Sequence, residues 1–589
     1  MKSILMKIGK GDRMLKNFSY ILLSLFLLAG IVSCEKLTLP PGPPTSGIII
    51  LDKDNIEMTV GDRTTLSMSL EDGKSFVKKF SASSSNPEIV GIERVDGYTV
   101  RVLGRQVGSA VVTFTSDDGE VELTCEVTVN EVVSDGITRI LAIGNSFSED
   151  ALEAYLHSIA TTAGDSVIIA NMYIGGSSLE QHLTNARENN NAYSYRKIDK
   201  YGVKTTVNEM TLEEVLNDEL WDYISFQQAS HFSGQYPTYE ASLPELYKYV
   251  KEKVVYTRTK YVFHQTWAYA QNSTHSGFAN YGNDQMTMYN AIVDAVQKAT
   301  NLVDFDLVVP AGTAIQNGRT TFWGDNFKRD GYHLDLNIGR YVAACTWYEA
   351  IFGKSVIGNS YDPGSFMLTD IEREMAQHAA HAAILNPYQV TEMADYQSVD
   401  LNDFTSTISV DVAQTQPADG WNGLTSPEAG TTIPYLRDQD GNLTDVSLEI
   451  TERFNNVNFN GEQNTNTPLN MPSSVSGSSY FGNTKASFGG LLILKSVMKI
   501  SGLDPTKLYD FCFFGSRSTP EGRETKYITK GQNEVASTLM TGSNFENIAC
   551  NEGMQPDADG NIFVTVTAGE RNDNGTGFYY LNAMRISVQ

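Results

Sequence analysis

The chain has 589 residues, with 44 Lys and Arg against 70 Asp and Glu, a formal net charge of −26. A chain this acidic repels phosphate backbones, which argues against nucleic acid as a partner. Hydrophobic residues at 41% can build sizeable cores, and five cysteines are too few for a disulfide-stapled mini-domain. At roughly 100–200 residues per domain, the length predicts three or four domains.

The first segment is an address. Lys2, Lys7, Lys10, Arg13 and Lys16 precede an apolar run from Tyr20 to Val32, shorter than the ~20 residues that span a bilayer comfortably. Ile31-Val32-Ser33-Cys34 resembles the lipobox of bacterial lipoproteins. That resemblance implies a signal peptide over 1–33, lipidation of Cys34, and a membrane anchor in the cell envelope, on the outer membrane. Pro40, Pro41, Pro43 and Pro44 make 34–46 a stiff, extended tether.

Residues 47–131 read as short alternating strands between turn signals. Ile56 to Val60 precedes Gly61-Asp62, Tyr98 to Val102 leads to Gly104, and Ala110 to Phe114 precedes Asp117-Asp118-Gly119. This pattern predicts a small β-sandwich. Ser84 to Val90, Gly108 to Val112 and Cys125 to Val129 resemble the bacterial Ig-like group 2 domain, which implies a spacer or adhesive module without chemistry.

The rhythm changes over 136–392. Strand candidates at Ile137–Ile143, Val167–Met172, Tyr223–Phe226, Tyr261–Phe263 and Leu307–Val309 alternate with helical patterns such as Leu152, Tyr155, Leu156 and Ile159. Such alternation predicts a parallel sheet with helices on both faces, and ligands at the carboxyl ends of its strands.

Three segments there carry chemistry. The first strand ends in Gly144-Asn145-Ser146-Phe147-Ser148 before a helix, where free N–H groups favour an oxyanion, although either serine could be a helix cap. Asp330-Gly331-Tyr332-His333 spaces a carboxylate to hold an imidazole in one tautomer and leave its other nitrogen as a base. Asn171 to Ser178 places Gly175 and Gly176 after the second strand, where glycine permits close backbone approach.

In this order the segments resemble the SGNH (GDSL-like) hydrolase superfamily. The resemblance implies a flavodoxin-like domain, with Ser146 as nucleophile, His333 as base and then acid, and Asp330 as orienting carboxylate. The Ser146 and Gly176 N–H groups would bind the oxyanion. The first block has Asn where the family commonly has Asp. The third reads Phe226-Gln227-Gln228-Ala229-Ser230-His231, without the family's Gly-x-Asn, so Gln227 is expected to supply the missing amide donor. Trp267 and Trp323 are candidate sugar-stacking rings. No metal or cofactor is required. His378 and His381, three apart on a predicted helix, lack an evident third ligand.

Residues 400–589 return to β character. Asp440-Gly441, Asp559-Gly560 and Asn574-Gly575 are hairpin-turn dipeptides, and Leu508–Phe514 and Gly577–Val588 are long strand candidates. A β-sandwich or jelly roll is expected, with Cys512 and Cys550 available to pair and Tyr579 and Tyr580 as exposed aromatic candidates. The block loosely resembles β-sandwich modules attached to glycan-active enzymes. The combined expectation is a lipid-anchored serine esterase removing O-acetyl groups from a polysaccharide. The alternatives are a lipase or thioesterase on the same fold, and a non-catalytic glycan-binding or adhesive surface lipoprotein.

Overall fold

The computed structural model describes residues 47–589 apart from 73–75, 77, 255, 257, 400, 402, 403 and 413–416. The signal segment, Cys34 and the tether to residue 46 lie outside the described residues. The described residues up to Asn130, apart from Thr59–Gly61, form one unit, and Glu131–Gln589 form the other.

The N-terminal unit folds as two four-stranded sheets. The strand Gly108–Ser116 pairs antiparallel with Glu122–Asn130. Buried and half-exposed residues alternate along it, as expected of a strand with one face on a core. Gly119 closes the intervening turn at φ +73°, a conformation that favours glycine. Leu66, Val100, Val112, Phe114 and Val127 fill the space between the sheets.

The second unit is built on a seven-stranded sheet. Its strands are β1 (Ile137–Gly144), β2 (Ser166–Tyr173), β3 (Tyr193–Ile198), β4 (Lys204–Met210), β5 (Tyr223–Phe226), β6 (Lys260–His264) and β7 (Leu307–Val309). Their order across the sheet is β4-β3-β2-β1-β5-β6-β7. The run β2-β1-β5-β6-β7 is parallel, and β3 and β4 join it antiparallel. The sheet is therefore mixed rather than wholly parallel. The cause is local: Asp199 accepts the N–H groups of Tyr201 and Val203 at 2.9 Å each, and Gly202 sits at φ +83°. Together they fold 193–210 into a hairpin. Its outer strand β4 is exposed almost throughout and carries Lys204 and Glu209, charged residues that blunt a sheet edge.

Helices cover the sheet. They include α1 (Ser146–Leu152), α2 (Leu156–Thr162), α3 (Leu179–Glu188), α4 (Leu243–Lys253), α5 (Gln285–Ala299), α6 (Ala311–Gly318), α7 (Ile338–Phe352) and α8 (Asp370–Leu385). Strand β1 is central and buried from Ile140 to Gly144, which explains its continuous apolar run. Strand order reverses about β1, so the crevice at its carboxyl end is the natural ligand position in such a sheet.

Residues 404–589 form the β-rich remainder of this unit. A five-stranded and a six-stranded sheet share one core, which includes Ile408, Val410, Leu448, Ile450, Met498, Phe511, Val564 and Ile586. Cys512 and Cys550 face each other across an antiparallel pair and are disulfide-bonded. Two expectations change here. The strand expected over 577–588 is broken at Asn582 into Phe578–Leu581 and Ala583–Val588, on different sheets. The Asn582 side chain accepts Ser516 N–H and donates to Ser476 O, both at 2.7 Å, which holds the break. Tyr579 and Tyr580 are buried rather than exposed, their hydroxyls bonded to Ser496 and Arg523.

Candidate active site

Strand β1 delivers the turn Gly144-Asn145-Ser146 to the sheet's rim. A Cβ on Gly144 would lie 2.2 Å from Ser148 Oγ, so only glycine lets α1 start this close to the strand. Asn145 is the helix cap, its Oδ1 accepting Phe147 N–H at 2.9 Å. Ser148 turns inward, its hydroxyl within 2.7 Å of Asn145 O and 2.9 Å of Asn171 Oδ1. Capping and burial are thus taken by the neighbours, and Ser146 stays partly exposed at the first helical position.

The turn before α7 supplies the partners. Asp330 Oδ1 accepts the N–H groups of Tyr332 at 3.1 Å and His333 at 2.8 Å, while Gly331 takes φ +86°. The Asp330 carboxylate then holds His333 Nδ1 at 2.7 Å, and His333 Nε2 lies 2.8 Å from Ser146 Oγ. Burial opposes ionisation of Asp330, but the bonds from the His333 ring and the two backbone N–H groups outweigh it. They hold the carboxyl below its ordinary range. A carboxylate acceptor on Nδ1 leaves Nε2 as the atom that exchanges a proton with the serine.

Asp150, absent from the sequence reasoning, ties the two segments together. It sits four residues after Ser146 on α1 and is fully buried. Its carboxylate meets Arg329 at 3.0 Å, Arg340 at 2.7 Å and Leu334 N–H at 2.9 Å. The helix that begins with the serine is thereby pinned to both flanks of the histidine turn. The only sequence signal was an acidic residue one helical turn from Ser146.

The expected role of Gln227 is corrected. Its amide nitrogen donates to Asn145 Oδ1 at 2.7 Å, and its Oε1 faces His264 Nδ1 at 3.0 Å. Burial pushes His264 down to about 3, so the ring is neutral. Because an amide oxygen only accepts, Nδ1 carries the proton. Asn145 Nδ2 continues the chain to Ser177 O at 2.9 Å. Gln227 is therefore buried behind the serine turn as a positioning group. The same chain fixes the 174–178 turn, where Ser177 Oγ also reaches Ile174 O at 2.9 Å. Gly176 is exposed there at φ +68°, in open space on its Cβ side.

Trp267 is a further correction. It is fully buried, stacked 4.5 Å from Phe147, and its Nε1 donates to Tyr332 O at 2.9 Å. It supports the histidine turn from below and offers no face to a ligand. Trp323 borders a cavity beside Asp330 but is itself buried, its ring 5.4 Å from that of Tyr435 and its Nε1 donating to Asn326 O at 3.1 Å, so it too is a packing group rather than an open stacking face. Tyr332 flanks the His333 ring at 4.1 Å, and His275 packs on Tyr332 at 4.8 Å. Burial, and next the neighbouring His333, hold His275 below its ordinary value. His381 is engaged elsewhere, with Nδ1 2.6 Å from Glu349 Oε1.

Residues 139–383 match the family described as "Domain of unknown function (DUF4886)". A DUF4886 family protein from Bacteroides uniformis ATCC 8492, solved as a crystal structure, is 54% identical. The match covers 44% of this chain and 99% of that one, with a TM-score of 0.43. XAC1771, described as a novel carbohydrate acetylesterase from Xanthomonas citri, matches at 10% identity over 51% of this chain and 73% of its own, with a TM-score of 0.24. TesA matches at 12% identity over 37% and 97%, also with a TM-score of 0.24. Among curated proteins nothing matches the sequence.

Proposed function

We propose that this chain, which belongs to the DUF4886 family through residues 139–383, is a serine esterase of SGNH type acting on O-acetylated carbohydrate. The observation that carries the esterase reading is the unbroken line Ser146 Oγ, His333 Nε2, His333 Nδ1, Asp330 Oδ2, with 2.8 and 2.7 Å between successive residues. Both distances lie in hydrogen-bond range for proton transfer.

The chemistry follows from those atoms. Ser146 Oγ attacks the ester carbonyl as its proton passes to His333 Nε2. The imidazolium that forms is stabilised by the Asp330 carboxylate. The tetrahedral oxyanion is met by the Ser146 N–H at the start of α1, with Gly176 N–H as the second donor in this proposal. Collapse expels the alkoxide, which takes the proton from Nε2. Water then repeats the sequence on the acyl-enzyme and releases acetate.

Preference for acetyl esters of carbohydrate, and lipid anchorage at Cys34 in the cell envelope, belong to the same proposal. They rest on the sequence features that precede and follow the α/β domain. The test is acetate release from acetylated polysaccharides, alongside turnover of p-nitrophenyl acetate and octanoate. Acetyl should be favoured over octanoyl, and Ser146→Ala should lower turnover by about 10⁴-fold or more. Equal activity in wild type and Ser146→Ala would remove the serine from the mechanism. Preference for octanoyl would move the assignment to a lipase or thioesterase.

A further inference from the structure

Beside the histidine turn lies a cavity of about 330 Å³, within the size range of small-molecule sites. Asp330 and Gly331 form part of its wall, so it lies beside the carboxylate end of the Ser146–His333–Asp330 line. One side belongs to the α/β domain and includes Asn272 and Trp323. The opposite side comes from the C-terminal β region and includes Thr425, Ser426 and Tyr435.

The two sides are locked in place. The Tyr435 ring lies 5.4 Å from that of Trp323, and its hydroxyl donates to Phe322 O at 2.9 Å. Arg437 forms a buried ion pair with Glu372 of α8, at 2.5 and 2.7 Å, and its Nε donates to Ser365 O at 2.8 Å. The cavity is thus a permanent feature of the unit rather than a gap between separately moving bodies.

We propose that this cavity is the glycan subsite, and that the C-terminal β region completes the substrate site. The inference rests on the esterase reading above. With the scissile acetyl at Ser146, the sugar carrying it extends across His333 and Asp330 into the cavity. Amide and hydroxyl groups such as those of Asn272, Thr425 and Ser426 pair with sugar hydroxyls, and the half-buried Tyr435 ring, backed by the buried Trp323, meets a sugar C–H face. The ligand class is an O-acetylated oligosaccharide. A small aryl acetate reaches the serine without using the cavity.

That difference supplies the test. Ala429→Trp narrows the cavity from its exposed C-terminal rim, and Asn272→Ala removes a polar group from the other wall; neither residue is in the catalytic line. Wild type and both variants are assayed on p-nitrophenyl acetate and on acetylated xylo- and manno-oligosaccharides, with Ser146→Ala as control. The expected result is a KM for oligosaccharide raised about tenfold in Ala429→Trp and severalfold in Asn272→Ala, with aryl acetate turnover unchanged. Unchanged oligosaccharide KM in both variants would overturn the subsite while Ser146-dependent aryl acetate turnover keeps the esterase. Cleavage of aryl acetate but of no oligosaccharide by wild type would overturn it too. Absence of Ser146-dependent turnover on every ester would sink the esterase reading itself.

Discussion

A serine hydroxyl is a weak nucleophile, and at position 146 the neighbours decide what it can do. Asn145 takes the cap, Ser148 takes the buried bonds, and His333 takes the serine. The spacing of Asp330 and His333 was legible in the chain itself, whereas their meeting with Ser146, 187 residues from His333, was legible only through the resemblance of the three segments to a known hydrolase family. The groups that hold them were not. A strand end says where Gln227 lies but not which way its amide turns, and it turns to Asn145 and His264. Asp150 was invisible for a similar reason: its partners Arg329 and Arg340 are 179 and 190 residues away. Asp150→Asn should cut kcat on p-nitrophenyl acetate by about 10²-fold, because sub-ångström drift of His333 is costly, with KM within about twofold. A purely structural role would lower the unfolding midpoint and leave kcat per folded molecule intact.

At the level of elements, periodicity identified the strands and helices of the α/β domain but not how every strand is joined. The hairpin over 193–210 depends on Asp199 and Gly202, a turn set by side-chain bonds and a positive φ. Likewise the break at Asn582 comes from bonds to Ser516 and Ser476, which no local pattern announces. The loop carrying Tyr435 and Arg437 docks on α8 through a buried ion pair, and Glu372 also closes a capping box with Thr369 at the start of that helix. Arg437→Met leaves the Glu372 carboxylate buried without its cation, at a cost of about 3–5 kcal/mol. Urea unfolding of the full chain checks this. The double variant with Glu372→Leu should recover most of the loss, whereas two equal and additive losses would assign the cost to packing rather than to charge.

For the whole molecule, the shift from alternating strands to alternating strand and helix and back to strands was visible in composition and turn signals. The closing of the last region onto the α/β domain was not, since alternation marks which face is buried but not against what. The chain's acidity has one local consequence for stability. Burial pushes Asp411, at the end of strand Thr407–Asp411, up to about 7, and its Oδ1 has no partner among the described residues. The folded state then holds a proton that the unfolded chain, titrating near 4, has released. Stability from this group is therefore greatest at low pH and falls as pH rises from about 4 to about 7. Asp411→Asn should flatten that slope in urea midpoints compared between pH 5 and pH 8; an unchanged slope would contradict the assignment. The central claim, that Ser146 is the nucleophile, is tested most directly by mass spectrometry after treatment with a p-nitrophenyl phosphonate ester. One covalent phosphonyl adduct is expected on the peptide containing Ser146, with none in Ser146→Ala and far slower labelling in His333→Ala. Labelling at another residue, or full esterase activity in protein whose Ser146 is fully modified, would contradict it.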